Sequence, residues 1–336
     1  QRQMCIRDRR RALEMLARKG EKTRPRVRSD QSQGHVFSRK PLDFKPLNKI
    51  NVLVTFEGRE VLLRNFAFND VDIRLKLKQG TLDVDPLKFS IGGGTAEATF
   101  ALQSSKTPPF MATSLAVHQF DIGPMLQQLG RETALQGTLN TSVYLNGSGN
   151  TVAALMAGLN GKVHLDIHDG RIESQQLILL ERYIGSNVLD AINPFIKRPP
   201  HTAIHCLISS IDIKNGRAAY KMVLDTEQTA LASAGKIDLK TEEIDIGIKP
   251  SPKKGFGDSQ VGYISFSLKE LSQPFALGGT LAKPQLVLDP TRAIATAAKF
   301  AGAAFFGPVG MTLFFTDISL GKKNICEEAT RAMRKK

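Results

Sequence analysis

The sequence has no tryptophan, only 4 tyrosines and only 3 cysteines in 336 residues. So few amphipathic rings argue against an aromatic-lined sugar or peptide cleft. Three cysteines cannot build a disulfide-dense scaffold, and no paired C-x-x-C marks a metal site. The chain also lacks G-x-S-x-G, H-E-x-x-H, a Walker loop and a G-x-G-x-x-G at a strand–helix junction. Gly92-Gly93-Gly94 reads as a bulge or turn rather than a phosphate cradle. His164 and His168 share one strand face, but four residues of strand separate them by about 13 Å, too far to share a metal. His201 and His205 fare no better. Asp83 and Asp85 lie about 7 Å apart with no accompanying base or nucleophile, which reads as a solvated edge. The chain is therefore read as no enzyme, with no cofactor and no metal.

Basic charge is missing from the middle of the chain. The net charge of +14 is concentrated at the ends: residues 1–40 hold 13 Lys/Arg against 4 Asp/Glu, and residues 322–336 hold 6 against 2. The remaining 281 residues are nearly balanced, 27 against 26. A nucleic-acid domain carries its basic excess on the folded body, so a nucleic-acid partner is not expected. Met4–Arg9 reads MCIRDR, which resembles the translated end of a sequencing-library transposon; the other reading is a natural basic arm. Residues 1–35 are taken as a non-native or basic linker segment, with the Pro-, Ser- and Gln-containing stretch 23–34 as its end.

From Val36 onward the hydrophobic period is two. Ile50, Val52, Val54 and Phe56 alternate with Asn51, Leu53 and Thr55. Val71, Ile73, Leu75 and Leu77 alternate with Asp72, Arg74, Lys76 and Lys78. The same pattern returns around Leu82, Ala96, Val143, Val163, Ile204, Ala218, Leu231, Ile244, Tyr263 and Gln285. Glu57-Gly58, Gln79-Gly80, Asn146-Gly147, Asp169-Gly170, Asn215-Gly216, Ala234-Gly235 and Gly278-Gly279 read as turns between strands, which predicts an antiparallel meander. Helical period shows at Pro124–Leu129, at Thr151–Leu159 with Thr151 as N-cap, and at Ser174–Ile192. So few helices cannot cover so many one-sided strands. The apolar faces must meet in a sandwich or barrel, or one curled sheet must leave an apolar groove that lipid can fill.

Several stretches resemble, in order, the C-terminal part of the AsmA family. These are Val36–Leu47, Leu75–Gly94, Leu145–Ile172, Cys206–Thr226, Gly235–Lys254 and LGGTLAKPQLVLDP at Leu277–Pro290. The resemblance implies a mainly β fold over residues 36–290, a long twisted antiparallel sheet curled into an open apolar groove. It also implies an inner-membrane anchor, a periplasmic body in a Gram-negative bacterium, and participation in outer-membrane biogenesis by carrying phospholipid between membranes. The alternative is a structural or regulatory factor for outer-membrane protein assembly. The lipid-binding candidates are Val52, Val54, Val71, Ile73, Leu75, Leu77, Val143, Leu145, Val163, Leu165, Ile237, Leu239, Ile244 and Ile246; the other reading is an ordinary core. Expected partners are phospholipid, a membrane surface and outer-membrane assembly proteins.

Residues 291–336 form a C-terminal amphipathic segment. Its apolar run is interrupted by Lys299 and Gly307-Pro308, so each half is too short to span a bilayer. Phe300, Phe305, Phe306, Phe314 and Phe315 are its membrane-contact candidates; a helical cap on the groove's end is the alternative. With Cys5 set aside, the oxidising compartment implied by the resemblance suggests a disulfide between Cys206 and Cys326; the other reading is two unrelated thiols, one of them buried in its strand.

Overall fold

The computed structural model describes residues 34–63, 66–128, 135–173, 201–227, 229–253, 275–287 and 325–334. The expected helix at Ser174–Ile192, the strand near Tyr263 and the five C-terminal phenylalanines lie outside the described residues.

The described chain is mainly β. Thirteen strands follow one another: β1 Val52–Leu63, β2 Phe66–Lys78, β3 Thr81–Ile91, β4 Gly94–Gln103, β5 Phe110–Asp121, β6 Leu135–Ser148 and β7 Asn160–Glu173. They continue as β8 His201–Lys214, β9 Arg217–Thr226, β10 Thr229–Asp238, β11 Ile244–Pro252, β12 Phe275–Thr280 and β13 Lys283–Val287. Their order in the sheet is their order in the chain, every pairing is antiparallel, and β1 and β13 are its two edges. The sheet is open, not a barrel. Among the described residues three α-helices accompany it, α1 Ile122–Gln128, α2 Val152–Ala157 and α3 Ile325–Arg334, with a 3-10 turn at Lys45–Lys49.

Some of the expected turns are real. Gln79-Gly80 and Asn215-Gly216 carry φ of 49° and 75°, and 49° and 72°, the paired left-handed residues of a tight hairpin. Gly92-Gly93, at 57° and 75°, makes another, so the glycine run is a hairpin turn. Other expected turns are strand interior. β1 runs straight through Glu57-Gly58, with Gly58 opposite Val71. β6 continues past Asn146-Gly147, and β12 contains Gly278-Gly279. Gly235 sits in the middle of β10 between Tyr220 and Ile246, where a Cβ would collide with the Asp245 carbonyl of β11. Glycine there serves close backbone approach, not reversal.

Asp169-Gly170 does not end β7 either. Asp169 has φ +50° beside a register shift between Gln136 and Thr138. Gln119 and Asp70, at 52° and 50°, accompany equivalent shifts in β5 and β2. Such bulges raise local twist without breaking the strand.

The segment from His35 to Lys49 straps the strand ends together. The buried Glu242 carboxylate, in the β10–β11 turn, accepts the backbone N–H of Val36 at 2.6 Å and of Phe37 at 2.9 Å. Further along, Leu42 N donates to the Asn150 carbonyl and Ala153 N to the Ser38 carbonyl. Thr151 caps α2 by accepting from Ala154 N at 2.9 Å. The strap therefore fixes the start of α2.

Candidate functional site

The ladder registers decide which side chains share a face. Val52, Val54 and Phe56 of β1 stand opposite Leu77, Leu75 and Ile73 of β2. Leu77 and Ile73 continue to Leu82 and Leu87, then to Leu102 and Ala98, then to Met111 and Leu115. Leu115 continues to Val143 and Val163, and Val163 to Ile211, Tyr220 and Gly235. Ile237 stands opposite Ile244, and Gly235 opposite Ile246. All fourteen candidates thus fall on one side of one sheet: Leu145 and Leu165 flank Val143 and Val163 at the same parity, as Val71 flanks Ile73 and Leu239 flanks Ile237. Val71, Leu77, Ile244 and Ile246 are buried, Val52 and Val54 at the β1 edge are exposed, and the others are half-buried.

Among the described residues paired from β2 to β11, this face carries no Asp, Glu, Lys, Arg or His. Its few polar side chains turn their polar atoms into the sheet. Thr113 Oγ1 donates to the Thr99 carbonyl at 2.9 Å, Thr141 Oγ1 to the His164 carbonyl at 2.7 Å, and Ser209 Oγ to the Lys221 carbonyl at 3.1 Å. Each hydroxyl is spent on the neighbouring strand, leaving carbon to face outward. Tyr220 is the one titratable group on this stretch. Burial pushes its pKa up to about 12, against the opposing pull of a hydrogen bond with Ser233.

The opposite face holds the charges. Lys88 meets Glu97 at 3.0 Å, Arg74 meets Asp72 at 3.3 Å, and the Lys162 ammonium lies 3.9 Å from Asp212. His168 Nε2 lies 2.6 Å from the buried Asp166 carboxylate, and Lys253 Nζ lies 2.8 Å from buried Asp225. A cavity of about 610 Å³ on this side reaches from His118 through Asn140, Ser142 and His164 to Met333 of α3. No group of His, Cys, Asp or Glu among the described residues is placed to hold a metal ion.

The polar face has one apolar patch. Cys206, Ile208, Val223, Ala230, Ala232 and Ala234 cluster there, and α3 covers them with Ile325 and Ala329. A disulfide joins Cys206 to Cys326 with their Cα atoms 6.0 Å apart. The C-terminal helix is therefore stapled to the side opposite the fourteen candidates.

Sequence reading missed much of the apolar face. Phe110–Asp121 has no visible alternation, because Ala112, Ser114 and Ala116 on the outer side are as small and neutral as Thr113 on the inner. It also missed that α1 and α2 both pack on the apolar side. Met125 and Leu126 of α1 join Phe120, Ile122, Leu139, Ile167 and Leu207 at one end of the strands. Met156 of α2, with Leu159 just beyond it, joins Leu145, Ile211, Ile213 and Ala218 at the other.

Comparison with known proteins adds the following. The family model described as "AsmA family" matches residues 16–222. The AsmA family protein YhjG of Escherichia coli (strain K12) is 26% identical over 324 residues, covering 95% of this chain and 44% of that relative. The chain thus spans less than half the length of the curated relative it matches. No solved structure matches significantly.

Proposed function

The chain belongs to the AsmA family, and from that footing we propose that it is a non-catalytic envelope protein whose apolar sheet face carries phospholipid acyl chains between the inner and outer membranes. Family membership supports a role in envelope biogenesis or lipid transport in general. The observation that carries the finer reading is the apolar face, which runs through ten consecutive strands without an ionised group. A face of that extent is worth about 25 cal/mol for each Å² removed from water, and it offers no polar group that must stay wet. Hydrocarbon chains can move along it without meeting a charge. A selective small-molecule pocket would need convergent polar groups, whereas the charged side chains of β2–β11 among the described residues lie on the other side and the Thr113, Thr141 and Ser209 hydroxyls of this face are bonded into the sheet.

The body is placed in the periplasm under this reading, consistent with the disulfide. No described helix is long and apolar enough to cross a membrane. A membrane surface and outer-membrane assembly proteins are the partners the reading calls for.

The test is direct. The protein is purified without detergent and its bound lipids are extracted and identified by mass spectrometry. Co-purified phospholipid in near-stoichiometric amount supports carriage. A protein that stays folded and lipid-free, even after incubation with phospholipid vesicles, removes it in favour of a structural role in outer-membrane assembly.

A further inference from the structure

The large apolar side chains left open to water are not scattered over the sheet. Among the described residues nine are exposed, and six of them, Val52, Leu53, Val54, Phe56, Leu62 and Leu63, belong to β1. Leu53 and Leu62 are 77% and 71% exposed. β1 is also one of the two edges of the described sheet. The other edge, β13, has five residues and carries Lys283 and Pro284, which discourage further pairing. β1 has twelve residues with no lysine and no proline, so its outward N–H and C=O groups present a long row to another strand.

We propose that β1 is a self-association edge, pairing antiparallel with β1 of a second copy of this chain about a two-fold axis at Gly58. Directly opposed residues of an antiparallel pair share a face, so the fit can be read residue by residue. With Gly58 opposite Gly58, Leu53 opposes Leu63, Thr55 opposes Val61 and Glu57 opposes Arg59 on the charged side, each twice by symmetry. On the apolar side Val54 opposes Leu62 and Phe56 opposes Glu60. The Phe56 ring lies 3.2 Å from where a Cβ of Gly58 would stand, so carbon covers the glycine pair on the axis.

The charges select this register. Sliding the second copy by two residues puts Glu57 opposite Glu57 in one direction and Arg59 opposite Arg59 in the other, and like charges directly opposed repel. Sliding it by one residue turns its apolar face to the charged side. Within its own chain Glu57 stands opposite Asp72, a like charge that already meets Arg74 at 3.3 Å. Among the described residues neither Glu57 nor Arg59 has an ion-pair partner. The second copy supplies each with the opposite charge. The contact is isologous and closes on itself, so it yields a dimer and not a fibre. It sets the apolar faces of the two copies side by side, and it does not depend on whether either carries lipid.

The full chain is followed by sedimentation velocity in lipid-free buffer from about 1 to about 200 µM, a range that captures weak interfaces. A monomer–dimer equilibrium is expected, with hydrogen exchange in β1 slowing as concentration rises while exchange in β13 does not change. Glu57→Arg and Arg59→Glu each replace two attractive pairs by two repulsive ones and should each raise the dimer dissociation constant at least about tenfold. The double variant restores opposite charges and should return it to within about threefold of the wild type. Both positions are exposed, so the variants should keep the fold, which circular dichroism checks. A dimer that ignores both single reversals, or is weakened by them without rescue, overturns this edge and register. A chain that stays monomeric overturns self-association, and slow β1 exchange in that monomer would show that another segment of the chain covers the edge. If a variant fails to fold, the concentration dependence of β1 exchange in the wild type decides: no slowing overturns the proposal. None of these readouts involves lipid, so failure here leaves lipid carriage standing.

Discussion

The two faces of this sheet are built from the same strands, residue by alternate residue, and they solve opposite problems. On β2, Val71, Ile73, Leu75 and Leu77 point one way and Asp72, Arg74, Lys76 and Lys78 the other. On β10 the outward series is instead Ala230, Ala232 and Ala234, and there a helix is bonded over it. Among the described residues the polar face forms a buried apolar cluster where α3 supplies the cover. Among the described residues the other face stays apolar across ten strands, and the described helices on it occupy only the ends. In a protein whose every apolar patch were simply core, cover and patch would match on both sides. Among the described residues cover and patch match on one side only, which is the arrangement the proposed acyl-chain cargo requires.

That contrast can be broken experimentally, and the largest effect is expected under α3. Ala232 is fully buried beneath the helix, so Ala232→Asp places a carboxylate with no partner against Ile325 and Ala329. A loss of about 3–5 kcal/mol by denaturant titration is expected, the range for an uncompensated buried charge. Ser142→Asp, on the uncovered part of the same face, should change stability by less than about 0.5 kcal/mol. Equal losses at the two positions would sink the distinction between covered and open polar face.

Reduction of the disulfide comes next. Its sulfurs close a sequence separation of 120 residues, and loss of about 2–4 kcal/mol on reduction with dithiothreitol is the usual range. Hydrogen exchange should then rise first in α3 and not in β2–β7. Uniform acceleration over the whole sheet would show that α3 is integral to the fold rather than a local cover.

Ile73→Asp sharpens the apolar side. Ile73 is half-buried and lies near the exposed edge strand, so the carboxylate can recruit water. A stability loss of about 1–3 kcal/mol is expected, with the β signal in circular dichroism kept and vesicle-derived lipid uptake reduced. Complete unfolding would mean that this strand is sealed core.

The smallest effect is a pH dependence. The pKa of Tyr220, about 12, lies above the ordinary value of about 10 because burial disfavours the phenolate. The native state therefore holds a proton that the unfolded chain releases first. Stability is intact below about pH 10 and falls as pH rises toward about pH 12, by about 1–2 kcal/mol for a half-buried ring. Tyr220→Phe should flatten that limb in urea titrations at pH 9.5 and 11.5. An unchanged slope would place the ring in water.

Alternation made most of the strands legible. A period of two over four or more residues has one meaning when charged and aliphatic residues take turns, as in β2 and β7. It fails in β5, where small neutral residues occupy both series. Turn chemistry was legible only in part. Gln79-Gly80 and Gly58 look alike as letters, yet one reverses the chain and the other lies in a ladder, because positive φ is imposed by the pairing partners and not by glycine itself. The bulges at Asp70, Gln119 and Asp169 carry no reliable local signal, since each compensates a register that is set across strands.

By itself the sequence determined a run of antiparallel strands and, where charged and aliphatic residues alternate, which residues share the apolar side, because side-chain parity is a local property of extended backbone and survives any choice of strand order. Only the tertiary structure decided that the sheet stays open, that α1 and α2 stand at opposite ends of the apolar face, and that α3 is stapled to the charged side. Those outcomes depend on contacts between residues tens to more than a hundred positions apart, Cys206 with Cys326 and Glu242 with Val36 among them, and no periodicity within a strand encodes which distant segment will supply the cover.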